Sequence, residues 1–193
     1  MAPEVARAAP PVKQGACVGA RRVEPAPMRL ACTMTEGRGE LDPLLHAVAR
    51  AAMADGLRLA GIVQINSERP GDTRCDMDAL VLPDGPVIRI SQSLGPGARG
   101  CQLDAAGLET AVAAAETALA GGADLLIVNK FGKQEAAGRG FRNVIARALE
   151  LDADVLVGVN RTNLPALEAY AGTDVTRLPP AVAPLLAWVR ERP

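Results

Sequence analysis

The chain contains the run Asp124-Leu125-Leu126-Ile127-Val128-Asn129, whose middle four residues are all large and apolar. A second run of the same kind is Asp154-Val155-Leu156-Val157-Gly158-Val159. Unbroken apolar runs of this length are typical of strands that are covered on both faces, as in parallel sheets. The segment between them, about residues 134–150, is predicted to be a helix. A strand, helix, strand order predicts an α/β domain with a mainly parallel sheet.

The same alternation extends towards both ends of the chain. Short apolar runs predict strands at about residues 29–34 and 57–65, and leucines spaced by three and four predict a helix between them. Asp104 is predicted to cap an alanine-rich helix at about residues 105–120. A last helix is predicted at about residues 180–191.

Two extended runs, residues 75–82 and 87–90, flank the turn Pro83-Asp84-Gly85-Pro86. This pattern predicts a β-hairpin inserted into the sheet. Residues 1–28 are rich in alanine and proline and have no helical or strand period, which predicts a disordered tail. We therefore predict a single α/β domain over residues 29–193.

The composition excludes several classes of function. The 193 residues include 21 Lys and Arg against 22 Asp and Glu, a formal net charge of -1, and only 2% are aromatic. Nucleic-acid binders rely on basic charge or aromatic stacking, so no nucleic-acid partner is expected. No segment approaches the roughly 20 apolar residues that span a bilayer, and the N-terminus lacks an apolar signal core, so we expect a cytoplasmic protein without a membrane partner. Scattered cysteines and a single histidine, His46, predict no metal site and no histidine-based catalysis.

Candidate site residues follow from the rule that ligands bind at the carboxyl ends of parallel strands. The loop from Ser91 to Cys101 contains three glycines, two serine hydroxyls and an arginine. Glycine N–H groups together with a guanidinium can surround an oxyanion. Lys130 ends an apolar strand and Lys133 follows shortly after, so both are expected to add positive charge. The predicted anion-binding residues are Ser91, Gln92, Gly95, Gly97, Arg99, Gly100, Lys130 and Lys133, and no catalytic residue is predicted.

The turn from Thr35 to Glu40 lies between a predicted strand and a predicted helix and contains Gly37-Arg38-Gly39. Loops of this outline bind phosphate through backbone N–H groups at a helix N-terminus. A Walker A loop also needs a lysine and a hydroxyl, whereas Glu40 and Leu41 stand at those positions here. A plain glycine turn and a weak anion contact both remain open.

Longer motifs carry a resemblance to a known family. They are Cys75-Asp76-Met77, Ser91-Gln92 with Gly95-Pro96-Gly97-Ala98-Arg99-Gly100-Cys101, and Asn129-Lys130-Phe131-Gly132-Lys133-Gln134-Glu135 with Gly138-Arg139-Gly140-Phe141-Arg142. Over about residues 29–180, the chain resembles an uncharacterised bacterial family related to P-loop nucleoside triphosphatases, often encoded beside molybdate-uptake genes. The resemblance implies a three-layer, P-loop-NTPase-like domain. It also implies that Glu40 replaces the Walker A lysine and that Asn129 and Lys130 replace the Walker B carboxylates, so groups that hold magnesium and phosphate are missing.

Exchanging Asp-Glu for Asn-Lys shifts the strand end by about three charge units in the positive direction, which disfavours a metal cation and favours a bare oxyanion. With the genomic context that the resemblance implies, this predicts a binding protein for molybdate or tungstate, serving molybdenum supply or storage, rather than an enzyme. The alternative is a nucleoside triphosphatase or nucleotide-binding protein with non-standard Walker motifs, using groups such as Glu135 and Lys133. A third hypothesis is an interaction module that forms a homo-oligomer.

Overall fold

A computed structural model describes residues 29–68, 75–93, 102–172 and 175–191. The predicted tail, residues 1–28, lies outside the described residues. The strands are β1 (Leu30–Thr33), β2 (Leu59–Glu68), β3 (Cys75–Val81), β4 (Val87–Arg89), β5 (Leu125–Phe131), β6 (Asp154–Val159) and β7 (Val175–Leu178). The helices are α1 (Leu41–Ala54), α2 (Ala105–Ala120), α3 (Lys133–Ala136), α4 (Arg142–Glu150), α5 (Leu164–Ala171) and α6 (Val182–Arg190).

The strands form one seven-stranded sheet in the order β4-β3-β2-β5-β6-β1-β7. Four pairs of neighbouring strands are parallel, namely β2 with β5, β5 with β6, β6 with β1, and β1 with β7. The other two pairs are antiparallel, because β3 runs opposite to both β2 and β4. The predicted α/β class, the mainly parallel sheet and the inserted hairpin are therefore confirmed. β5 and β6 lie in the interior of the sheet, as their unbroken apolar sequences predict.

Helices cover both faces of the sheet and produce three layers. Leu126 and Val128 of β5 belong to a core that includes residues of α2 and α4. Leu125 and Ile127, which alternate with them, belong to the core on the other face with residues of α1 and α6. All four side chains are fully buried. The sheet thus separates two hydrophobic cores, and every central strand needs apolar residues at consecutive positions.

The N-terminus of α2 confirms the predicted cap. The Asp104 carboxylate accepts a hydrogen bond from the backbone N–H of Ala106 at 3.0 Å, and the helix begins one residue after Asp104. Such a cap stabilises a helix by about 1 kcal/mol because it satisfies an otherwise unpaired N–H group.

The prediction of a single helix at about residues 134–150 was wrong, because this part of the chain forms two helices, α3 and α4. Gly138 and Gly140 lie between them with φ angles of 82° and 57°. A residue with a side chain rarely adopts this left-handed conformation, so the two glycines permit the chain to turn. The buried Glu135 side chain holds the turn by accepting hydrogen bonds from the main chain on both sides of it.

α5 and β7 were not predicted from the sequence. α5 has eight residues, of which one is buried, and β7 is a four-residue edge strand with two exposed residues. Elements this short and this exposed lack a clear hydrophobic period. Over the part of the chain that the structure describes, no helix combines the length and apolarity needed to cross a membrane.

Candidate functional site

The carboxyl ends of the parallel strands open into a cleft of about 1340 Å³. Residues 34–39 follow β1 into this cleft, and residues 159–162 line it at the end of β6. The other lining residues are Leu41, Asp42, Gln64, Asn66, Cys75, Met77, Gln102, Lys130 and Pro180. The cleft therefore lies where the parallel sheet is expected to bind a ligand.

Three basic side chains line the cleft, each from a different strand end. Arg38 follows β1, Lys130 lies near the end of β5, and Arg161 follows β6. Among the described residues, none of the three forms an ion pair, whereas Arg58 and Arg89 elsewhere in the fold do. All three are exposed. Their charges are thus available to a negatively charged ligand in the cleft.

Lys130 faces the cleft because of the way β5 ends. Its neighbours Asn129 and Phe131 are buried, while Lys130 is exposed. The register against β6 shifts between Asn129 and Phe131. The Asn129 side chain is 2% exposed, and its amide oxygen and nitrogen have no hydrogen-bond partner among the described residues.

The loop between β1 and α1 carries its own negative charge. The Glu40 carboxylate folds back and accepts a hydrogen bond from the N–H of Gly37 at 3.2 Å. A Cβ atom added to Gly37 would overlap that carboxylate. The N–H group that a bound anion would use is therefore already engaged, which favours the glycine-turn interpretation of this loop.

Lys133 and Glu135 lie beyond the end of β5. Lys133 is the first residue of α3, is exposed, and is not one of the cleft-lining residues. The Glu135 carboxylate is 3% exposed and accepts hydrogen bonds from the N–H groups of Gly132 (2.8 Å) and Phe141 (3.1 Å). Burial raises the pKa of Glu135, while these two hydrogen bonds act in the opposite direction. Both carboxylate oxygens thus brace the turn between α3 and α4.

Ser91 and Gln92 connect the hairpin to the start of α2. The Ser91 hydroxyl accepts a hydrogen bond from the N–H of Met77 (3.0 Å) and donates one to Asp76 (3.2 Å). The Gln92 amide donates to the carbonyl of Leu103 at 3.2 Å. Neither side chain lines the cleft.

Four predicted residues, Gly95, Gly97, Arg99 and Gly100, lie outside the described residues, and their part in anion binding stays a prediction. Gln102, the first described residue after that loop, lines the cleft. Of the predicted residues that are described, the structure brings Lys130 into the cleft.

Sequence reasoning missed Arg38 and Arg161 as site residues. Arg161 comes two residues after an apolar strand, so the signal that selected Lys130 could also have selected it. From the sequence, Arg38 was considered only as a residue of the turn Gly37-Arg38-Gly39, and its side chain was not assigned to a binding site. Both reach the cleft because β6 lies between β1 and β5 in the sheet, and strand order is not visible in a single sequence.

A polar cluster of Asp42, Gln64 and Asn66 was also missed. The Asp42 carboxylate is 4% exposed and accepts hydrogen bonds from the side-chain amides of Asn66 (2.5 Å) and Gln64 (3.4 Å). Its other oxygen, Oδ1, is buried without a hydrogen-bond partner among the described residues. The described residues contain no group of three or more His, Cys, Asp and Glu side chains suited to a metal ion.

The strand order and the alternation of helices and strands define an α/β protein with a P-loop-NTPase-like fold. The solution structure of a human cancer-related nucleoside triphosphatase superimposes with a TM-score of 0.52 at 19% identity, covering 77% of this chain and 87% of that one. Residues 30–188 match the family described as "Protein of unknown function (DUF2478)", and the chain belongs to this family. The predicted P-loop-NTPase-like fold is thereby confirmed.

A relative of known name is the molybdenum import ATP-binding protein ModC 2 of Bradyrhizobium diazoefficiens, which is 38% identical over 165 residues. The match covers 86% of this chain and 18% of that protein. The chain thus spans less than a fifth of the length of this relative.

Proposed function

We propose that the protein binds an oxyanion in the cleft as a binding protein rather than an enzyme, with molybdate or tungstate as candidate ligands in molybdenum supply or storage. The observation that carries the proposal is the presence of Arg38, Lys130 and Arg161 in one cleft, without ion pairs among the described residues. The name of the ModC 2 relative supports molybdate as the first anion to test.

The charges of the cleft support binding without a metal ion. At a distance of 4 Å and the dielectric constant of water, a dianion gains about 2 kcal/mol from each unit positive charge. Thr35 and Thr162 place hydroxyl groups in the same cleft. Glu36 and Asp42 line the cleft and oppose an anion there, and the Glu40 carboxylate on the N–H group of Gly37 adds a third negative charge beside the three cations.

Isothermal titration of the purified protein with molybdate, tungstate, sulfate and phosphate tests this proposal. Lys130→Ala and Arg161→Ala are each expected to weaken binding by roughly 10- to 30-fold, because each removes one cation from the cleft. Arg50→Ala is the matched control, since Arg50 is an exposed cation of α1 that does not line the cleft. The proposal fails if no oxyanion binds more tightly than about 1 mM, or if both cleft variants bind like wild type.

A nucleotide is a second candidate ligand, favoured by the size of the cleft. Its volume of about 1340 Å³ exceeds the roughly 300–1,000 Å³ that is common for small-molecule sites. Titration with a non-hydrolysable nucleotide would measure binding. Magnesium-dependent phosphate release that is lost in Lys130→Ala would favour a nucleoside triphosphatase over a binding protein.

A further inference from the structure

We propose that Asp42 makes the cleft selective for oxyanions that carry a proton, such as hydrogen phosphate, over fully deprotonated ones such as sulfate, molybdate and tungstate. This inference rests on the proposed anion binding but sets a protonated oxyanion, such as hydrogen phosphate, against molybdate and tungstate as the ligand, so the titration below decides between them. It places Asp42 as a specificity-determining residue on the wall of the cleft, between α1 and β2.

The hydrogen bonds around Asp42 fix the orientation of its neighbours. A carboxylate only accepts hydrogen bonds, so the amides of Gln64 and Asn66 must turn their nitrogens towards it. The Gln64 amide nitrogen lies 3.4 Å from Asp42 Oδ2 and 2.8 Å from Asn66 Oδ1, which uses both of its N–H groups. The Asn66 amide nitrogen lies 2.5 Å from Asp42 Oδ2. Three N–H donors are therefore already directed at oxygens within the cluster.

The hydrogen-bonding group of the cluster that is still without a partner among the described residues is an acceptor, Asp42 Oδ1. Asp42 Oδ1 is buried and has no hydrogen-bond partner among the described residues, and no basic side chain described in the structure forms an ion pair with Asp42. A buried acceptor without a partner costs about 1–3 kcal/mol, and more when it is charged. A ligand group that lies against Asp42 must therefore donate a hydrogen bond to relieve this cost.

A metal ion is a poorer partner for this oxygen than a donor group. Asp42 is the one carboxylate of the cluster, and its two neighbours are neutral amides. Lys130 and Arg38 line the same cleft and repel a cation. An anion drawn in by these cations satisfies Asp42 only if it brings its own proton.

Phosphate and sulfate are tetrahedral anions of similar size, but near neutral pH phosphate keeps at least one proton and sulfate keeps none. A site that is built to accept a hydrogen bond from a ligand hydroxyl can reject an analogue without it by about 10⁴-fold or more. When the ligand has no O–H group to donate, its negative charge is repelled by the Asp42 carboxylate. Repulsion of this kind is a common source of specificity. Molybdate and tungstate, which also lack a proton at this pH, fall on the rejected side with sulfate.

Titration of the wild-type protein at pH 7 with phosphate, sulfate and molybdate tests the inference directly. We expect phosphate to bind at least about 100-fold more tightly than sulfate or molybdate. Asp42→Asn, which is isosteric and can turn its NH₂ group towards the ligand, should reduce this ratio below about 10 by weakening phosphate and tightening sulfate. Glu36→Gln is the matched control, because it removes an equal charge from the exposed rim of the cleft and should leave the ratio unchanged.

The possible results separate this inference from the proposed function. Equal affinities of the wild type for phosphate and sulfate, or tighter binding of molybdate, overturn the role of Asp42 and leave anion binding intact. An Asp42→Asn variant that is folded and keeps the wild-type ratio overturns it as well. Binding of no anion by any variant removes both proposals. The wild-type comparison decides the matter even if the variant does not fold.

Discussion

Glu40 lies against the N–H group of Gly37, at the loop where a phosphate-binding loop would receive its anion. Its negative charge competes with any anion that enters the cleft from this side, because Gly37 is one of the lining residues. The side chain is exposed, so at the dielectric constant of water the repulsion at 4 Å is about 1 kcal/mol for a monoanion and about 2 kcal/mol for a dianion.

Glu40→Gln is therefore expected to tighten binding about fivefold for a monoanion and up to roughly 30-fold for a dianion, because it removes the charge and keeps an acceptor for Gly37. Glu40→Ala should tighten binding further, since it also releases the N–H group. Titration of both variants with the same anion measures the two contributions. Unchanged affinity in both variants would show that the bound anion lies away from this loop.

Glu135 makes the stability of the fold depend on pH in a defined direction. Burial raises the pKa of Glu135 above its ordinary value of 4.5, so the folded state binds a proton at this side chain more tightly than the unfolded state does. The stabilisation that Glu135 contributes is thus complete below the unfolded-state pKa and is lost as the pH rises through the higher folded-state pKa.

The Glu135→Gln variant does not titrate at this position. The difference in free energy of unfolding between wild type and Glu135→Gln should therefore become less favourable to the wild type as the pH rises from about 4 to 7. Urea unfolding of both proteins across this range provides the measurement. A difference that stays constant, or grows with pH, would contradict the assigned direction of the pKa shift.

At the level of the elements, the break between α3 and α4 depends on two glycines in different surroundings. Gly138 and Gly140 both have positive φ angles. A Cβ atom at Gly138 would have no atom within 4 Å, whereas one at Gly140 would overlap the Glu135 carboxylate. A side chain at either position would therefore strain the backbone by a similar amount. Only a side chain at Gly140 would also overlap a neighbouring atom.

Gly138→Ala is expected to lower the free energy of unfolding by about 1 kcal/mol, the cost of a left-handed alanine. Gly140→Ala should lower it by roughly 3 kcal/mol, because it also displaces Glu135 from the N–H group of Phe141. Urea unfolding of the pair measures both losses. Equal losses would mean that Glu135 does not hold this turn.

At the level of the whole molecule, Arg29 connects the beginning of the described chain to its end. Its guanidinium lies 3.1 Å from the Asp154 carboxylate of β6, donates a hydrogen bond to the carbonyl of Trp188 in α6, and lies over the Trp188 ring at 4.7 Å. Asp154 is 4% exposed at its side chain. By contrast, Arg190 and Asp55 form a pair whose side chains are 57% and 37% exposed.

Arg29→Ala should lower the free energy of unfolding by about 3 kcal/mol, because it takes the cation away from a buried carboxylate. Arg190→Ala is the matched control and should cost less than about 1 kcal/mol, since water screens an exposed pair. Chemical denaturation near pH 7 measures both. Similar small losses would show that Arg29 does not join β1, β6 and α6 energetically.

Much of this architecture was predictable from local patterns. The apolar runs of β5 and β6, the Asp104 cap of α2 and the turn of the hairpin each depend on residues that are close in the chain, and all were confirmed. Lys130 was predicted correctly to lie at the cleft from local sequence as well. A residue at the end of a buried parallel strand must lie at the edge of the sheet where ligands bind.

The composition of the cleft depends instead on contacts between residues that are distant in the chain. Arg38, Lys130 and Arg161 meet because the sheet places β6 between β1 and β5. Asp42 meets Asn66 because α1 and β2 pack together at the same edge, and Glu135 turns inward because Gly140 lets the chain bend around it. Periodicity and capping signals act over a few residues, whereas these contacts arise only when the crossovers bring separate segments together.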